Sequence, residues 1–130
     1  MSPADVVREL ARRWNAGDID GVLDMYTEDV VMHSGEDWPE QTTWRGREGV
    51  RSNIEEWRAV WESAELELGR LEAFGDRVVS EGAWNARGRT SGVSGSMPVA
   101  ALCVIRHGKI ASVEWFTDYD VAVAAARGDT

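Results

Sequence analysis

The spacing of apolar residues along the chain alternates between helical and strand periods. Val6, Val7, Leu10, Ala11 and Trp14 recur on one helical face and predict a helix over residues 3–16. Ser2 stands ready to cap it, Pro3 suits its first turn, and Gly17 ends it. Asp18 then opens a short second helix with Ile19, Val22, Leu23 and Tyr26 on one side. A strand is expected from Val30 to about Ser34, followed by a polar, irregular loop over 35–46. A loop of that length in a small domain reads as a lid or binding loop. A third helix starts near Arg47, with Val50, Ile54, Trp57 and Trp61 on its buried stripe.

From Ala64 the period changes to two. Ala64, Leu66 and Leu68 alternate with Glu65 and Glu67, and the alternation then slips and resumes at Leu71 and Ala73. A slip at Gly69-Arg70 predicts a β-bulge, which bends and twists a sheet. Gly75-Asp76 supplies a turn, and Val78 to Ala86 forms the next strand. Residues 87–96 read as a Gly/Ser-rich link. Met97 to Ile105 is almost wholly apolar, as in a strand buried on both faces. His107-Gly108 predicts a tight hairpin turn, Lys109 to Thr117 a last strand, and Asp120 a cap for a final helix, Val121 to Arg127, closed by Gly128. Grouped helices followed by a run of antiparallel strands indicate an α+β domain. No repeat or linker interrupts it, so a single domain over 1–130 is expected.

Composition narrows the function. The chain has 130 residues, with 14 Lys plus Arg against 23 Asp plus Glu, a formal net charge of −9. Without a basic cluster it is a poor match for nucleic acid or an anionic membrane surface, both of which are held by cations. A single cysteine, Cys103, excludes an intrachain disulfide, and inside an apolar strand its thiol is expected to be inert. Two His residues give no metal-binding spacing, so no metal or other cofactor is expected. The start Met1-Ser2-Pro3-Ala4-Asp5 has neither the basic nor the apolar region of a signal peptide, and a cytoplasmic location is the expectation. The unusual number is seven Trp, against two Tyr and two Phe.

Several short segments, in order, resemble the SnoaL-like proteins of the nuclear transport factor 2-like (cystatin-like) superfamily. They are Asn15-Ala16-Gly17-Asp18, Tyr26-Thr27-Glu28-Asp29-Val30, Trp44-Arg45-Gly46-Arg47-Glu48-Gly49-Val50, Arg106-His107-Gly108-Lys109-Ile110 and Phe116-Thr117-Asp118. The resemblance implies a curved antiparallel sheet wrapped around helices as a cone, with an apolar pocket at its open end. It also implies a homodimer joined through the outer face of the sheet. The superfamily includes ketosteroid isomerase, polyketide cyclases, limonene-type epoxide hydrolases and noncatalytic binders, so fold alone does not choose among them.

The hydrolases' two Asp and one Arg fall, on this resemblance, at Gly82, Trp84 and Trp115. An indole cannot replace a carboxylate in proton transfer, which argues against hydrolase chemistry. The same placement turns Trp84 and Trp115 into the cone. Trp14, Trp57 and Trp61 join them either as pocket wall or as core filling, and Met32 and Ser34 complete the expected substrate-binding set. An isomerase or cyclase needs a general base, and the candidates are His33, Glu36, Asp37, Glu114 and Asp118. His33 lies between Met32 and Ser34, and strand alternation leaves its face open. Asp118 either acts as the base or caps the last helix. Glu114 is expected to face outward, and Glu36 and Asp37 to be solvated on the loop. Ser91 has no His or Asp partner at a recognisable spacing, which leaves it without an activating base.

Three functional readings follow. In the first, the chain is expected to be a cofactor-free isomerase or cyclase acting on a hydrophobic polyketide- or steroid-like molecule. Asp118 or His33 would then be the base, and Ser34 or an indole N–H the donor to a developing oxyanion. Alternatively it is a noncatalytic module for a small hydrophobic ligand, or a dimeric interaction domain whose pocket is filled by its own Trp.

Overall fold

The computed structural model describes residues 1–90 and 92–128. Helix α1 spans Pro3–Asn15 and begins in a capping box, in which the Ser2 hydroxyl accepts from the Asp5 N–H and the Asp5 carboxylate accepts from the Ser2 N–H. Asp18 caps α2, Ile19–Leu23. Strand β1 covers Tyr26–Ser34, β2 Thr43–Arg45, α3 Gly46–Val60, β3 Trp61–Phe74, β4 Arg77–Gly88, β5 Ser94–Arg106, β6 Lys109–Phe116 and α4 Tyr119–Arg127. The six strands form one curved sheet in the order β2-β1-β6-β5-β4-β3. Every neighbouring pair is antiparallel except β1 with β6, which is parallel.

Several boundaries differ from those the sequence pattern predicts, each for a tertiary reason. Tyr26 is the first residue of β1 and not the end of a helix, because α2 closes after one turn and Tyr26 pairs with Ile110. Part of the expected 35–46 loop becomes β2, zipped to β1 through Met32 opposite Trp44. Trp61 leaves the helix: its N–H still bonds to the Trp57 carbonyl, but its backbone is extended and it pairs with Gly88. The Gly/Ser-rich link shrinks to 89–93, since Ala86 and Arg87 pair with Gly95 and Ser94. Glycine and serine are poor strand formers by propensity, yet ladder hydrogen bonds override it here. Asp118, and not Asp120, caps the last helix by accepting from the Asp120 N–H. The bulge at Gly69-Arg70 is present as a register shift between Leu68 and Leu71. His107 and Gly108 both take positive φ, 53° and 76°, as a type I′ hairpin turn requires.

The two sheet faces carry separate cores. The concave face meets α1, α2 and α3 in a cluster that includes Val6, Val22, Val30, Val50, Val78, Ile110 and Val113. The convex face is covered by α4, where Val79, Ala100, Leu102 and Phe116 meet Tyr119, Ala122 and Ala126. Alternation along β5 feeds both: odd positions Val99, Ala101 and Cys103 turn inward, while Ala100 and Leu102 turn to α4. Polar ties hold α4 down. The Tyr119 hydroxyl donates to Glu72 at 2.6 Å, the Arg70 guanidinium lies 4.1 Å above the Tyr119 ring, and Arg77 donates to the Ala126 carbonyl. No helix among the described residues is long and apolar enough to cross a membrane.

The bulge and Gly82 are one feature. A Cβ on Gly82 would strike the Glu67 carbonyl oxygen of β3, a backbone atom with little room to retreat. Gly82→Ala is therefore expected to lower stability by about 1–3 kcal/mol, the usual range for overpacking, as measured by the urea midpoint. Wild-type stability in that variant would show that β3 can slide away. Tyr119→Phe is expected to cost about 1 kcal/mol by losing one hydrogen bond, with no change in far-UV circular dichroism.

Candidate functional site

The concave face and α1 enclose a cavity of about 40 Å³. Its walls are Val7 and Leu10 of α1, Tyr26 of β1, Leu66 and Leu68 of β3, Ser80 and Gly82 of β4, Val99, Ala101 and Cys103 of β5, and Val113 and Trp115 of β6. The strand residues come from alternate positions, as one sheet face demands. The lining is almost entirely apolar. Its polar side-chain groups are the Tyr26 phenol, the Ser80 hydroxyl, the Cys103 thiol and the indole N–H of Trp115.

Four indoles, none of which lines this space, cluster among α1, α3, β3 and β4. Trp84 stands two residues beyond Gly82 on the same face of β4 and pairs in register with Leu66. Trp14 lies one turn beyond Leu10 on α1 and meets Trp84 edge-on, with ring centroids 5.4 Å apart. Trp57 of α3 lies 5.5 Å from Trp84 and 5.6 Å from Trp61. The Trp14 indole N–H donates to the Ala64 carbonyl at 2.9 Å, and Asn15 pairs its amide with both backbone groups of Leu66. These bonds lock the end of α1 to β3. The Trp57 indole nitrogen is buried and has no hydrogen-bond partner.

Of the residues expected to form the site, Trp115 alone lines the cavity. Trp14, Trp57, Trp61 and Trp84 are brought together, but against one another. Met32 is buried beside α3, where its sulfur accepts from the Asn53 amide. The Ser34 hydroxyl faces the β1–β2 connection and accepts from the Thr42 N–H, so it is no oxyanion donor to the cavity. His33 does not line the cavity: it pairs with Glu114 across the β1–β6 ladder, on the face opposite Met32 and Ser34. Asp118 is exposed, away from the cavity lining, and caps α4. Asp37 is not merely solvated. It accepts from the Thr117 N–H, the Thr117 hydroxyl and the Asp118 N–H, and so ties the loop to the β6–α4 junction. Ser91 lies outside the described residues.

Tyr26 and Ser80, which sequence reasoning did not place in the site, and Cys103, expected to be an inert thiol, carry the cavity's remaining chemistry. Burial pushes the Tyr26 phenol up, with the nearby Cys103 adding to the effect. Burial also pushes the Cys103 thiol up to about 12. Both groups are neutral at physiological pH, so neither is a base or a thiolate nucleophile. Among the described residues no group of His, Cys, Asp and Glu is placed to hold a metal ion. A second, open depression of about 370 Å³ is lined by Thr27, Glu28, Asp29, Arg47, Arg106, His107 and Lys109. Its charges are mixed, and Arg47 is already engaged with the Tyr26 carbonyl.

Residues 7–113 match the SnoaL-like domain, and the chain belongs to that family. No curated protein matches it in sequence. Solved structures share its fold. An NTF2-like protein from Burkholderia thailandensis superposes with a TM-score of 0.78 at 23% identity, covering 98% of both chains. A candidate polyketide cyclase from Xanthomonas campestris gives 0.77 at 21%, over 95% of this chain and 96% of that one. TerC, co-crystallized with polyporic acid, gives 0.77 at 20%, over 97% and 99%. At such identities the likeness extends to the fold, a curved α+β cone.

The buried thiol and phenol make stability depend on pH. A group whose pKa is raised by folding contributes fully below its ordinary value and loses that contribution as pH rises. For Cys103 the loss begins near its ordinary 9.0 and is complete near 12. The urea midpoint is expected to fall as pH rises above about 9, and less steeply in Cys103→Ala. An identical pH slope in the two proteins would show that the thiol is not buried as described.

Proposed function

We propose that this SnoaL-like domain binds a small, flat, apolar molecule inside the cone and does not transform it by acid–base chemistry. The observation that carries this reading is the composition of the cavity wall. It contains no carboxylate, imidazole or amine, and its two ionisable groups are held neutral. Isomerisation or cyclisation by proton transfer needs a base within hydrogen-bond reach of the substrate, and the expected bases, His33 and Asp118, lie elsewhere. The co-crystallization of TerC, a protein of this fold, with polyporic acid supports a ligand role for the cone.

The resting cavity is far smaller than the roughly 300–1,000 Å³ of pockets that take drug-sized ligands. Its about 40 Å³ matches only a few water-sized spheres. A ring-shaped ligand therefore enters only by displacing side chains that line the cavity. Cations and strongly charged molecules are disfavoured, because nothing in the wall would replace their hydration.

Titration with α-methylstyrene, a small flat hydrocarbon, tests the reading. Saturable binding is expected by calorimetry, with a change in the near-UV circular dichroism of the coupled indoles. Ala101→Leu, which fills the cavity, is expected to abolish it while leaving the far-UV spectrum intact. Unsaturable partitioning, or binding untouched in Ala101→Leu, would place the ligand elsewhere and overturn the proposal.

A further inference from the structure

The polar connection between β1 and β2, residues 35–42, is a tied strap. Within it the Gln41 amide donates to the Gly35 and Trp38 carbonyls, and Ser34 and Thr42 pair across its base. One carboxylate fastens it to the β6–α4 junction. Asp37 accepts from the Thr117 N–H at 3.0 Å and from the Thr117 hydroxyl and the Asp118 N–H, both at 2.9 Å. The Gly35 N–H donates to the Trp115 carbonyl at 2.6 Å, and a Cβ on Gly35 would strike that oxygen and the Phe116 ring. The strap thus bears on the backbone of residues 115–118 at both points. Those residues serve both sheet faces: Trp115 lines the cavity, Phe116 is buried beneath α4, and Asp118 caps that helix. Trp115 is the last inward-facing residue of β6 and is partly exposed, whereas Ala101, Cys103 and Val113 beside it in the wall are buried.

We propose that residues 35–42 are a latch on the cavity, and that Asp37 is the positioning residue that keeps Trp115 in its closed place. This rests on the reading of the cone as a binder of small apolar molecules and adds a control to it. The cavity is too small for a ring, so a ligand binds only when wall side chains give way. Trp115 gives way at the cost of the bonds that hold its backbone. Latching and binding therefore oppose each other. A ligand favours the state in which the strap is released, and anything that releases the strap favours the ligand. The bonds suit a latch. They are charge-assisted, which makes them strong, and they lie at the surface, where water takes over donor and acceptor on release.

Removing the latch is expected to strengthen binding, the opposite of what loss of a merely structural contact does. Asp37→Ala is expected to bind α-methylstyrene about tenfold more tightly than the wild-type protein, the equivalent of one net hydrogen bond. Thr117→Val removes only the hydroxyl donor and is expected to shift affinity the same way by a smaller factor. It carries the test if Asp37→Ala fails to fold. Unchanged or weaker binding in the variants would overturn the latch and leave apolar binding standing. A second readout needs no ligand. Hydrogen exchange of the Gly35 amide, which meets the Trp115 carbonyl, is expected to be about tenfold faster in Asp37→Ala and faster to a lesser degree in Thr117→Val. Wild-type exchange rates in the variants would likewise overturn the latch alone. Failure of every protein to bind the hydrocarbon would remove the binding function together with this inference.

Discussion

Four indole rings drawn from four elements meet at one end of the sheet, and the arrangement of the concave side depends on that meeting. Trp14 brings α1, Trp57 brings α3, Trp61 begins β3 and Trp84 sits in β4. Each contact is tilted or edge-to-face, geometries that add about 0.5–1.5 kcal/mol per pair to the burial of the rings. Trp61 is the pivot between α3 and β3, and its extended backbone ends the helix where the strand must start. Trp14 fixes α1 against β3 by a hydrogen bond as well as by stacking. The stack thus ties α1 and α3 to β3 and β4 at one end of the sheet.

The curvature that makes room for this stack has its own source in β3 and β4. The bulge at Gly69-Arg70 changes the register after Leu68, and Gly82 opposite lets the two backbones approach without a side chain between them. On the convex side the outward residues of β4, β5 and β6 would otherwise face solvent. Helix α4 covers them, held by Tyr119, Arg70 and Arg77. Two cores on one sheet explain why β5 is apolar at nearly every position from Val99 to Cys103.

Charge is kept out of the interior. The chain carries −9 in total, yet the buried polar side chains near the cavity are neutral hydroxyls and a thiol. The acidic residues near the β6–α4 junction are committed to backbone donors: Asp37 to Thr117 and Asp118, and Asp118 to Asp120. Carboxylates that close turns in this way are held by geometry for structure, which is why their presence at a strand end is not evidence of a catalytic base.

Much of the architecture was legible in the order of residues, because it rests on local chemistry. The Ser2 cap of α1, the Asp18 cap, the bulge at Gly69-Arg70 and the His107-Gly108 turn each need only neighbours within a few positions. The SnoaL-like pattern was readable for the same reason, and the chain's membership of that family agrees with it. What tertiary structure alone decided was the destination of each side chain across long sequence separations. Whether Ser94 to Ser96 pair as a strand depends on β4, 85 to 87 being their partners. Whether His33 faces in or out depends on the register of β1 against β6. Whether a Trp lines a pocket or fills it depends on which other rings arrive beside it. Local propensity is silent on all three, since a strand residue's face, a ladder's partner and a ring's neighbours are set by packing between segments far apart in the chain.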